Sequence, residues 1–366
     1  MKIIQLIQKP QLRGAEIFAS QLSNHLVALG HACKMITLFE GEAKLPFLGE
    51  IIYLNRPLSK RLWDFAGWKQ LSDLIKHEKP DILQANAGDT LKFAVLSKWV
   101  YGWKTPIVFR NANKMSDFID SKPKFWLNKF FLSLVAHVIS VSKSCSEDLI
   151  TFFSFPKSKV DTVEIGIELN PIGGLPEDLK PICENGPVVL NVASMVTEKN
   201  QLGLLRIFSE VLKQVGNAQL VIIGKGKLES SLKAFAFQQG IEKSVHFLGY
   251  RNDVLEIMNA CNAFLLPSHI EGLPGVILEA MYASCPVVAY DVGGIGEVVV
   301  HNKTGFLVLK DDEGSFVKHV MAILTDFDGN QIMKEARQFV MKDFDNRMIT
   351  NRFLTIYARV LAVKEK

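Results

Sequence analysis

The chain has 366 residues, of which 48% are hydrophobic and 22% charged, and its formal net charge is +4. This length favours two domains, and the composition is ordinary for a globular α/β protein. The five cysteines are scattered, odd in number and without a Cys-x-x-Cys pair, which excludes a zinc ribbon or a disulfide scaffold and favours reduced thiols in the cytoplasm.

Short apolar segments that predict β-strands alternate with helical patterns from the first residues onward. The apolar stretch at the start of the sequence is too short for a signal peptide, and we predict that it forms the first strand. No apolar run reaches the roughly 18 residues of a membrane-spanning helix. In the first half we predict strands at 2–7, 32–38, 51–54, 81–84, 107–110, 137–141 and 160–163. Between them we predict helices at 15–29, 59–77, 90–101, 124–135 and 143–153.

A segment rich in proline and glycine divides the chain. It predicts an N-terminal domain at 1–169, a linker at 170–187, a second domain at 188–345 and a C-terminal helix at 346–366 that packs back on the first domain. Strands of the second domain are predicted at 188–192, 219–223, 244–247, 263–266, 287–289 and 305–308. The alternation predicts an α/β fold with two doubly wound parallel sheets, whose ligands lie at the carboxyl ends of the strands.

The stretch from Ser268 to Val299 carries most of the functional information. Two carboxylates, Glu271 and Glu279, lie on either side of a Gly/Pro turn that opens a helix, and an apolar strand and a second glycine turn follow. Free N–H groups at the positive end of a helix dipole can bind a diphosphate, here those of Gly275, Val276 and Ile277. Carboxylates repel phosphate but accept hydrogen bonds from sugar hydroxyls, so the pattern predicts a nucleotide-sugar site.

This arrangement resembles the donor-site motif of the retaining glycosyltransferases of family 4, in which two glutamates separated by seven residues precede a Pro-Val-Val strand and a Gly-Gly turn. The resemblance implies the GT-B architecture, with two Rossmann-like domains facing across a cleft. It also implies that Glu271 binds hydroxyls of the donor sugar and that Glu279 binds those of the ribose. The alternative is a Rossmann-type βα unit with two surface glutamates.

Two further loops are similar to phosphate-binding loops of that family. Gly14, before the first helix, stands where the family has a glycine against the donor diphosphate, and Arg13 replaces the glycine before it. Lys199 stands where the family has a lysine that neutralises the leaving diphosphate, whereas Ser194 replaces an arginine. The alternatives are a tight turn at Gly14, a solvent-facing Arg13 and a surface lysine at position 199.

The nucleotide pocket and the acceptor side give weaker resemblances. Gly224, in a Gly-x-Gly turn, and the strand end at Gly249 and Tyr250 resemble the surroundings of the nucleotide, although Tyr250 is equally well explained as a packing aromatic. Two family histidines of the acceptor side are absent. Asn111 and Asn113 follow a strand end where the second histidine would lie, so these asparagines and Arg13 are the acceptor-side candidates, with a hydrophilic loop as the alternative.

Together these features predict a retaining, metal-independent glycosyltransferase of the hexosyltransferase type. It would move a sugar from a nucleoside diphosphate sugar to a glycan or lipid-linked acceptor, in surface-polysaccharide or lipopolysaccharide assembly. Lys199 and Glu271 are the expected catalytic residues. No Asp-x-Asp motif follows a strand of the first domain, so we expect no metal and no other cofactor. The alternatives are another GT-B enzyme, such as a sugar-nucleotide epimerase, and a catalytically weak nucleotide-sugar-binding protein that lacks the arginine and the histidines.

The first half of the chain is the more basic one. Residues 1–170 contain 22 Lys and Arg against 16 Asp and Glu, and segments 60–69 and 122–131 interleave cations with Trp and Phe. Such segments are typical of helices on a membrane surface, so we expect a cytoplasmic protein with peripheral contact to an anionic bilayer. The alternative is a pair of amphipathic helices with aromatics in the core and a solvated basic edge. No nucleic-acid-binding motif accompanies the charge.

Overall fold

The structure is a computed structural model that describes residues 1–61, 63–326 and 328–364. The chain divides into two compact units, one formed by Met1–Glu168 together with the C-terminal helix and the other by Leu169–Asp345. Leu62, which belongs to the basic segment 60–69, and the last two residues of the predicted C-terminal element lie outside the described residues.

The first unit is built on a seven-stranded sheet in the order β3-β2-β1-β4-β5-β6-β7, with all neighbours parallel. Its strands are β1 (Lys2–Ile7), β2 (Ala32–Phe39), β3 (Ile51–Arg56), β4 (Ile82–Ala85), β5 (Ile107–Asn111), β6 (His137–Ser140) and β7 (Val160–Thr162). The helices between them are α1 (Gly14–Ala28), α2 (Phe65–Glu78), α3 (Gly88–Tyr101), α4 (Lys122–Ser133) and α5 (Lys143–Phe152). The central strands are near-continuous apolar runs because helices cover both faces of a parallel sheet.

Helix α2 begins later than the pattern 59–77 predicts. A 3-10 turn occupies Leu58–Lys60, and the α-helix starts only at Phe65. The carboxylate of Asp64 accepts a hydrogen bond from the N–H of Gly67 at 3.0 Å and one from Arg56 at 2.7 Å. Because this side chain supplies an acceptor for a free N–H of the first turn, it fixes the start of the helix.

The second unit contains a six-stranded parallel sheet in the order β10-β9-β8-β11-β12-β13. Its strands are β8 (Val188–Val192), β9 (Gln219–Ile223), β10 (Val245–Gly249), β11 (Ala263–Leu266), β12 (Val287–Tyr290) and β13 (Phe306–Val308). Its helices are α6 (Lys180–Asn185), α7 (Gln201–Gln214), α8 (Glu229–Gln238), α9 (Val254–Ala260), α10 (Gly275–Tyr282), α11 (Glu313–Asp326) and α12 (Asn330–Asp343). The predicted α/β class with two doubly wound parallel sheets is thereby confirmed.

Residues 170–187, for which the sequence predicts a linker, lie in the second unit and contain α6. Asp178 pairs with Arg251 at 2.6 Å, and Leu179 is buried. The C-terminal helix α13 (Asn346–Lys364) lies in the first unit, where Phe353 packs against Phe18 of α1. Both segments are held by tertiary contacts.

Each sheet has a topological switch point, between β1 and β4 in the first unit and between β8 and β11 in the second. Connections leave such a point toward opposite faces, and ligands of open α/β sheets bind there, beyond the carboxyl ends of the strands. The segment after β8 contains Lys199, and the segment after β11 contains Glu271. The topology therefore brings the two predicted catalytic residues to the same edge of the second sheet.

Candidate functional site

The loops that follow β8 and β11 are tied together by hydrogen bonds. The N–H of His269 donates to the carbonyl of Glu198 at 2.8 Å, and the side-chain amide of Asn200 donates to the carbonyl of Pro267 at 3.0 Å. Asn200 has a left-handed backbone (φ 52°) and is the N-cap residue of α7. Its side chain also accepts a hydrogen bond from the N–H of Gly203 in the first turn of that helix. These bonds hold the turn that ends at Lys199 against the loop that leads to Glu271.

Lys199 and Glu271 form an ion pair within this edge. The Nζ of Lys199 donates to Oε1 of Glu271 at 2.6 Å, and their side chains are 25% and 5% exposed. A carboxylate this buried requires a charged or hydrogen-bonding partner. A lysine ammonium has three N–H donors, so Lys199 can hold Glu271 and also donate to an anion that arrives from solvent.

The second glycine turn packs directly on the backbone of Glu271. Gly293 has a φ of 60°, and a Cβ at this position would lie 1.8 Å from the carbonyl oxygen of Glu271. The N–H of Gly294 donates to the carbonyl of Gly272 at 2.6 Å. Only glycine combines this backbone conformation with so close an approach, so the turn fixes the position of Glu271.

Helix α10 starts beside these loops, with Pro274 as its N-cap residue. The N–H groups of Gly275 and Val276 are the first two of the helix and have no acceptor within it, and both residues are partly exposed. Ile277 differs from the prediction, because its side chain is buried and its N–H donates to the carbonyl of Pro274 at 3.2 Å. Of the three predicted donors, Gly275 and Val276 are therefore the ones whose N–H groups have no acceptor within the helix.

Glu279 lies one turn further along α10 and remains partly accessible. Burial raises the pKa of its carboxyl to about 7. Burial, and secondarily the charge of Glu279, raises the pKa of Tyr250. Tyr250 is 41% exposed, more than a packing aromatic of the core, so its ring and hydroxyl are accessible.

The carboxyl ends of β8, β9 and β10 meet at Gly224. Its φ is 136°, and a Cβ would lie 2.1 Å from the carbonyl oxygen of Ala193. Its N–H donates at 2.7 Å to the carbonyl of Gly249, which itself has a φ of 69°. Ser194, the residue after Ala193, is partly buried. The structure therefore gathers Ser194, Gly224 and Gly249 at one edge of the second sheet, where close backbone packing explains the glycine at 224.

In the first unit, Gly14 is the first residue of α1 and follows an exposed Arg13. A Cβ at Gly14 would have no atom within 4 Å, and its φ lies outside the left-handed range. Neither a left-handed backbone nor a steric contact with the described residues therefore requires glycine at position 14.

A pocket of about 530 Å³ opens at the carboxyl ends of β4 and β5. The two predicted acceptor-side asparagines, Asn111 and Asn113, both line it, whereas Arg13 is not among its lining residues. Asn111 is buried at the end of β5, and Asn113 is partly exposed. All the residues that line the pocket belong to the first unit.

Arg110 also lines this pocket and was missed by the sequence-based prediction of site residues. It lies in β5 and is only 2% exposed. The signal was present, since an arginine inside an apolar strand must find a partner for its charge. It was overlooked because the comparison with family 4 directs attention to a missing histidine at this place.

Several aromatic side chains in the basic segments, or in contact with them, are exposed on the first unit. Trp126 and Phe130 of α4 are 63% and 39% exposed, and Phe130 packs edge-on against Trp99 of α3, which is 66% exposed. Trp68 and Phe131, which also belong to the basic segments, are each 2% exposed and face the core. None of the described helices has both the length and the apolar character needed to cross a lipid bilayer. The core-facing alternative therefore describes Trp68 and Phe131, whereas Trp63 and Trp126 of the same segments are exposed.

Two family models match consecutive parts of the chain, Glycosyltransferase Family 4 at residues 12–170 and Glycosyl transferases group 1 at residues 179–339. The chain is 26% identical to an uncharacterized glycosyltransferase of Methanocaldococcus jannaschii, with 94% of each chain covered. It is 27% identical to the N-acetylgalactosamine-N,N'-diacetylbacillosaminyl-diphospho-undecaprenol 4-alpha-N-acetylgalactosaminyltransferase of Campylobacter jejuni, over 69% of this chain and 70% of that one. The crystal structure of Anabaena HepE in complex with UDP-glucose superposes with a TM-score of 0.84 at 21% identity, covering 99% of this chain and 100% of that one.

Proposed function

The chain belongs to the glycosyltransferases of GT-B fold, with a family 4 domain followed by a group 1 domain, and on this premise we propose that it is a retaining, metal-independent enzyme that transfers a sugar from a nucleoside diphosphate sugar to a lipid-linked glycan. The observation that carries the proposal is the Lys199–Glu271 pair beside the start of α10. The UDP-glucose held by Anabaena HepE supports the donor class. The diphospho-undecaprenol acceptor in the name of the Campylobacter relative supports the acceptor class.

The proposed chemistry follows from the charges of the second unit. As the bond between the anomeric carbon and the diphosphate breaks, negative charge grows on the leaving phosphate, and preorganised donors that meet this charge lower the barrier. Lys199 and the N–H groups of Gly275 and Val276 supply such donors. Glu271 accepts hydrogen bonds from the donor sugar and Glu279 from the ribose. The acceptor hydroxyl attacks on the face that the diphosphate leaves, and its proton passes to the leaving phosphate.

The test is a transfer assay with purified protein, a panel of nucleotide-sugars and lipid-linked glycans extracted from bacterial membranes, all in EDTA. We expect release of the nucleoside diphosphate and a glycolipid heavier by one sugar in the mass spectrum, with the donor's anomeric configuration in its NMR spectrum. An epimerised donor would identify the epimerase instead, and binding without release would identify a weak binding protein. Activity lost in EDTA and restored by Mg²⁺ would refute metal independence.

The raised pKa of Glu279 predicts that donor affinity rises with pH. The carboxylate accepts hydrogen bonds from ribose hydroxyls better than the neutral acid does, and its pKa is about 7. Its ionised fraction therefore rises from roughly one tenth at pH 6 to nine tenths at pH 8, and the Kd for UDP-glucose should fall roughly tenfold over that range. The diphosphate diester of this probe does not titrate there, so calorimetric titration reports on the protein.

Two variants control this experiment. Glu279→Gln has no carboxyl to ionise and should show weak, pH-independent binding, whereas Glu242→Gln, an exposed glutamate of the same unit, should keep the wild-type pH dependence. A pH dependence that survives in Glu279→Gln would contradict the prediction.

We also propose that the first unit contacts an anionic bilayer through its exposed aromatic surface, defined here as Trp63, Phe65, Trp99, Trp126 and Phe130. Their exposed fractions run from 39% to 76%, and the cations beside them can attract anionic headgroups, each contributing on the order of 1 kcal/mol. A basic rim around exposed tryptophans is the chemistry of a helix at the lipid interface. A lipid-linked acceptor would be reached from such a position.

Sedimentation with phosphatidylglycerol-rich vesicles tests this contact. We expect binding at low salt that weakens as salt rises, because counterions screen the cations. Trp99→Ser combined with Trp126→Ser should weaken it at every salt concentration, and changing Lys60, Arg61 and Lys122 to Ser should weaken it mainly at low salt. Lys124 already pairs with Asp120 at 2.7 Å, so its loss should matter less. Phe237→Ser, an exposed aromatic of the second unit (72%), is the control; absence of wild-type protein from the pellet would refute the contact.

A further inference from the structure

Arg110 is a buried cation, and none of the described residues forms an ion pair with it. Arg110 is 2% exposed, and no described group accepts a hydrogen bond from its Nη1. Burial lowers the pKa of the guanidinium to about 10, which still leaves it protonated at neutral pH. A buried guanidinium with an unmatched N–H group carries a desolvation cost that an arriving acceptor would remove.

The neighbours of Arg110 hold the guanidinium in place and leave its charge available. Its Cζ lies 4.3 Å from the centre of the Phe18 ring, a stacked cation–π contact. Glu16 interacts electrostatically with the guanidinium and is also buried. Its carboxylate accepts a hydrogen bond from the side chain of Gln11 at 2.9 Å, and burial raises its pKa. Among the described residues, no ion pair joins Glu16 to Arg110. The arginine is thus a fixed and incompletely compensated donor.

The pocket that Arg110 lines is positively charged. Three further cations line it, Arg61, Lys92 and Lys124, of which Lys124 is paired with Asp120. The single acid among the lining residues is Asp89, which accepts from the side chain of Gln8 at 2.8 Å. Another part of its wall is apolar, with Met115, Phe118, Ile119 and Leu127. A cationic floor beside an apolar wall fits a molecule that carries a strong anion next to a hydrocarbon segment.

We propose that Arg110 binds a diphosphate carried by the acceptor, so that this pocket selects a lipid diphosphate over a neutral glycan. The inference rests on the proposed function, since it names the acceptor class for the same enzyme. A planar guanidinium presents two parallel N–H donors to phosphate oxygens, and Lys92 adds a second charge from α3. The apolar wall contacts the first carbons of the lipid.

Calorimetric titration of the full chain tests this assignment. The probes are inorganic diphosphate, a short isoprenyl diphosphate and malonate, each added after saturation with UDP so that the donor site is occupied. We expect both diphosphates to bind, the isoprenyl ester more tightly, and malonate to bind weakly. Arg110→Gln should weaken diphosphate binding about tenfold or more, the effect of losing a charged hydrogen bond. The diphosphate affinity of Arg110→Lys should lie between those of the wild type and Arg110→Gln, because lysine keeps the charge but lacks the two parallel donors.

UDP-glucose binding, measured in parallel, separates this inference from the proposed function. Arg110→Gln should keep the wild-type Kd for UDP-glucose, and Lys76→Gln, an exposed cation of the same unit outside the pocket, should keep both affinities. If Arg110→Gln fails to fold, Lys92→Gln provides the same test. Wild-type protein that binds UDP-glucose but no diphosphate, or that prefers malonate, would overturn the inference alone. Diphosphate binding that depends on Arg110 without any UDP-glucose binding would support the inference and refute the proposed donor.

Discussion

Replacing Lys199 by alanine should lower kcat/KM roughly 10²–10³-fold, the loss seen when one preorganised donor to a developing oxyanion is removed. The reason is geometric, because Lys199 lies at the switch point of the second sheet, held by its 2.6 Å bond to Glu271. An ammonium fixed in this way needs little rearrangement to meet the leaving phosphate. Steady-state kinetics of sugar transfer measures the effect.

Lys199→Ala should also lower the free energy of unfolding. The sequence predicts a catalytic role for Lys199 and no effect of its loss on folding. The structure shows that Glu271, at 5% exposure, depends on it. A buried acceptor that loses its partner costs about 1–3 kcal/mol, and the residual solvent access of Lys199 places the expected cost toward the lower end. Thermal unfolding should therefore show a lower Tm, and kinetics must be normalised to folded protein.

Two matched variants separate the charge of Lys199 from its structural role. Glu271→Gln keeps the shape of the pair while it removes the carboxylate charge, so it should preserve UDP affinity but reduce transfer, because the amide binds sugar hydroxyls less well. Lys227→Ala removes an exposed lysine of the same unit and should change neither. Lys199→Ala with near-normal turnover would show that another group meets the leaving phosphate.

The fold was predictable because parallel strands covered on both faces are short apolar runs bounded by turns. Each strand of both sheets lies within two residues of its predicted ends. The predicted start of α2 was wrong because the helix begins where Asp64 caps it, and the side chain of Asp64 pairs with Arg56 of the preceding strand. Local patterns describe periodicity, and this cap is a tertiary contact that periodicity does not contain.

The candidate site was predictable residue by residue but not as an arrangement. The identity of Lys199 and Glu271 follows from motif resemblance, whereas their contact joins positions 72 residues apart and requires the strand order β8-β11. Ile277 was expected to offer its N–H to a ligand, yet that group is used within the first turn of α10. Arg110 was missed because motif comparison looks for the residues a family has, although an arginine within an apolar strand is itself a sign of a buried charge.

Gly293→Ala should affect both activity and folding, although the residue contacts no predicted ligand. Its φ of 60° is costly for any residue with a Cβ, about 1–2 kcal/mol, and that Cβ would lie 1.8 Å from the carbonyl oxygen of Glu271. The backbone at Glu271 must therefore move to accommodate it. A misplacement of about 1 Å at a reacting centre costs roughly 10²-fold in rate, so we expect a loss of this order together with a lower Tm.

Another glycine of the same unit separates the two causes. Gly240 has a φ of 69° with no atom within 4 Å of its Cβ position, so Gly240→Ala introduces the conformational cost without the clash. It should lower the Tm by a few degrees, as about 1 kcal/mol does in a domain of this size, and leave kcat/KM unchanged. If Gly293→Ala lost no more activity than Gly240→Ala, the glycine turn would be a folding feature only. A selective loss of transfer in Gly293→Ala would instead show that the turn keeps Glu271 in register with Lys199, because that backbone contact is what distinguishes the two glycines.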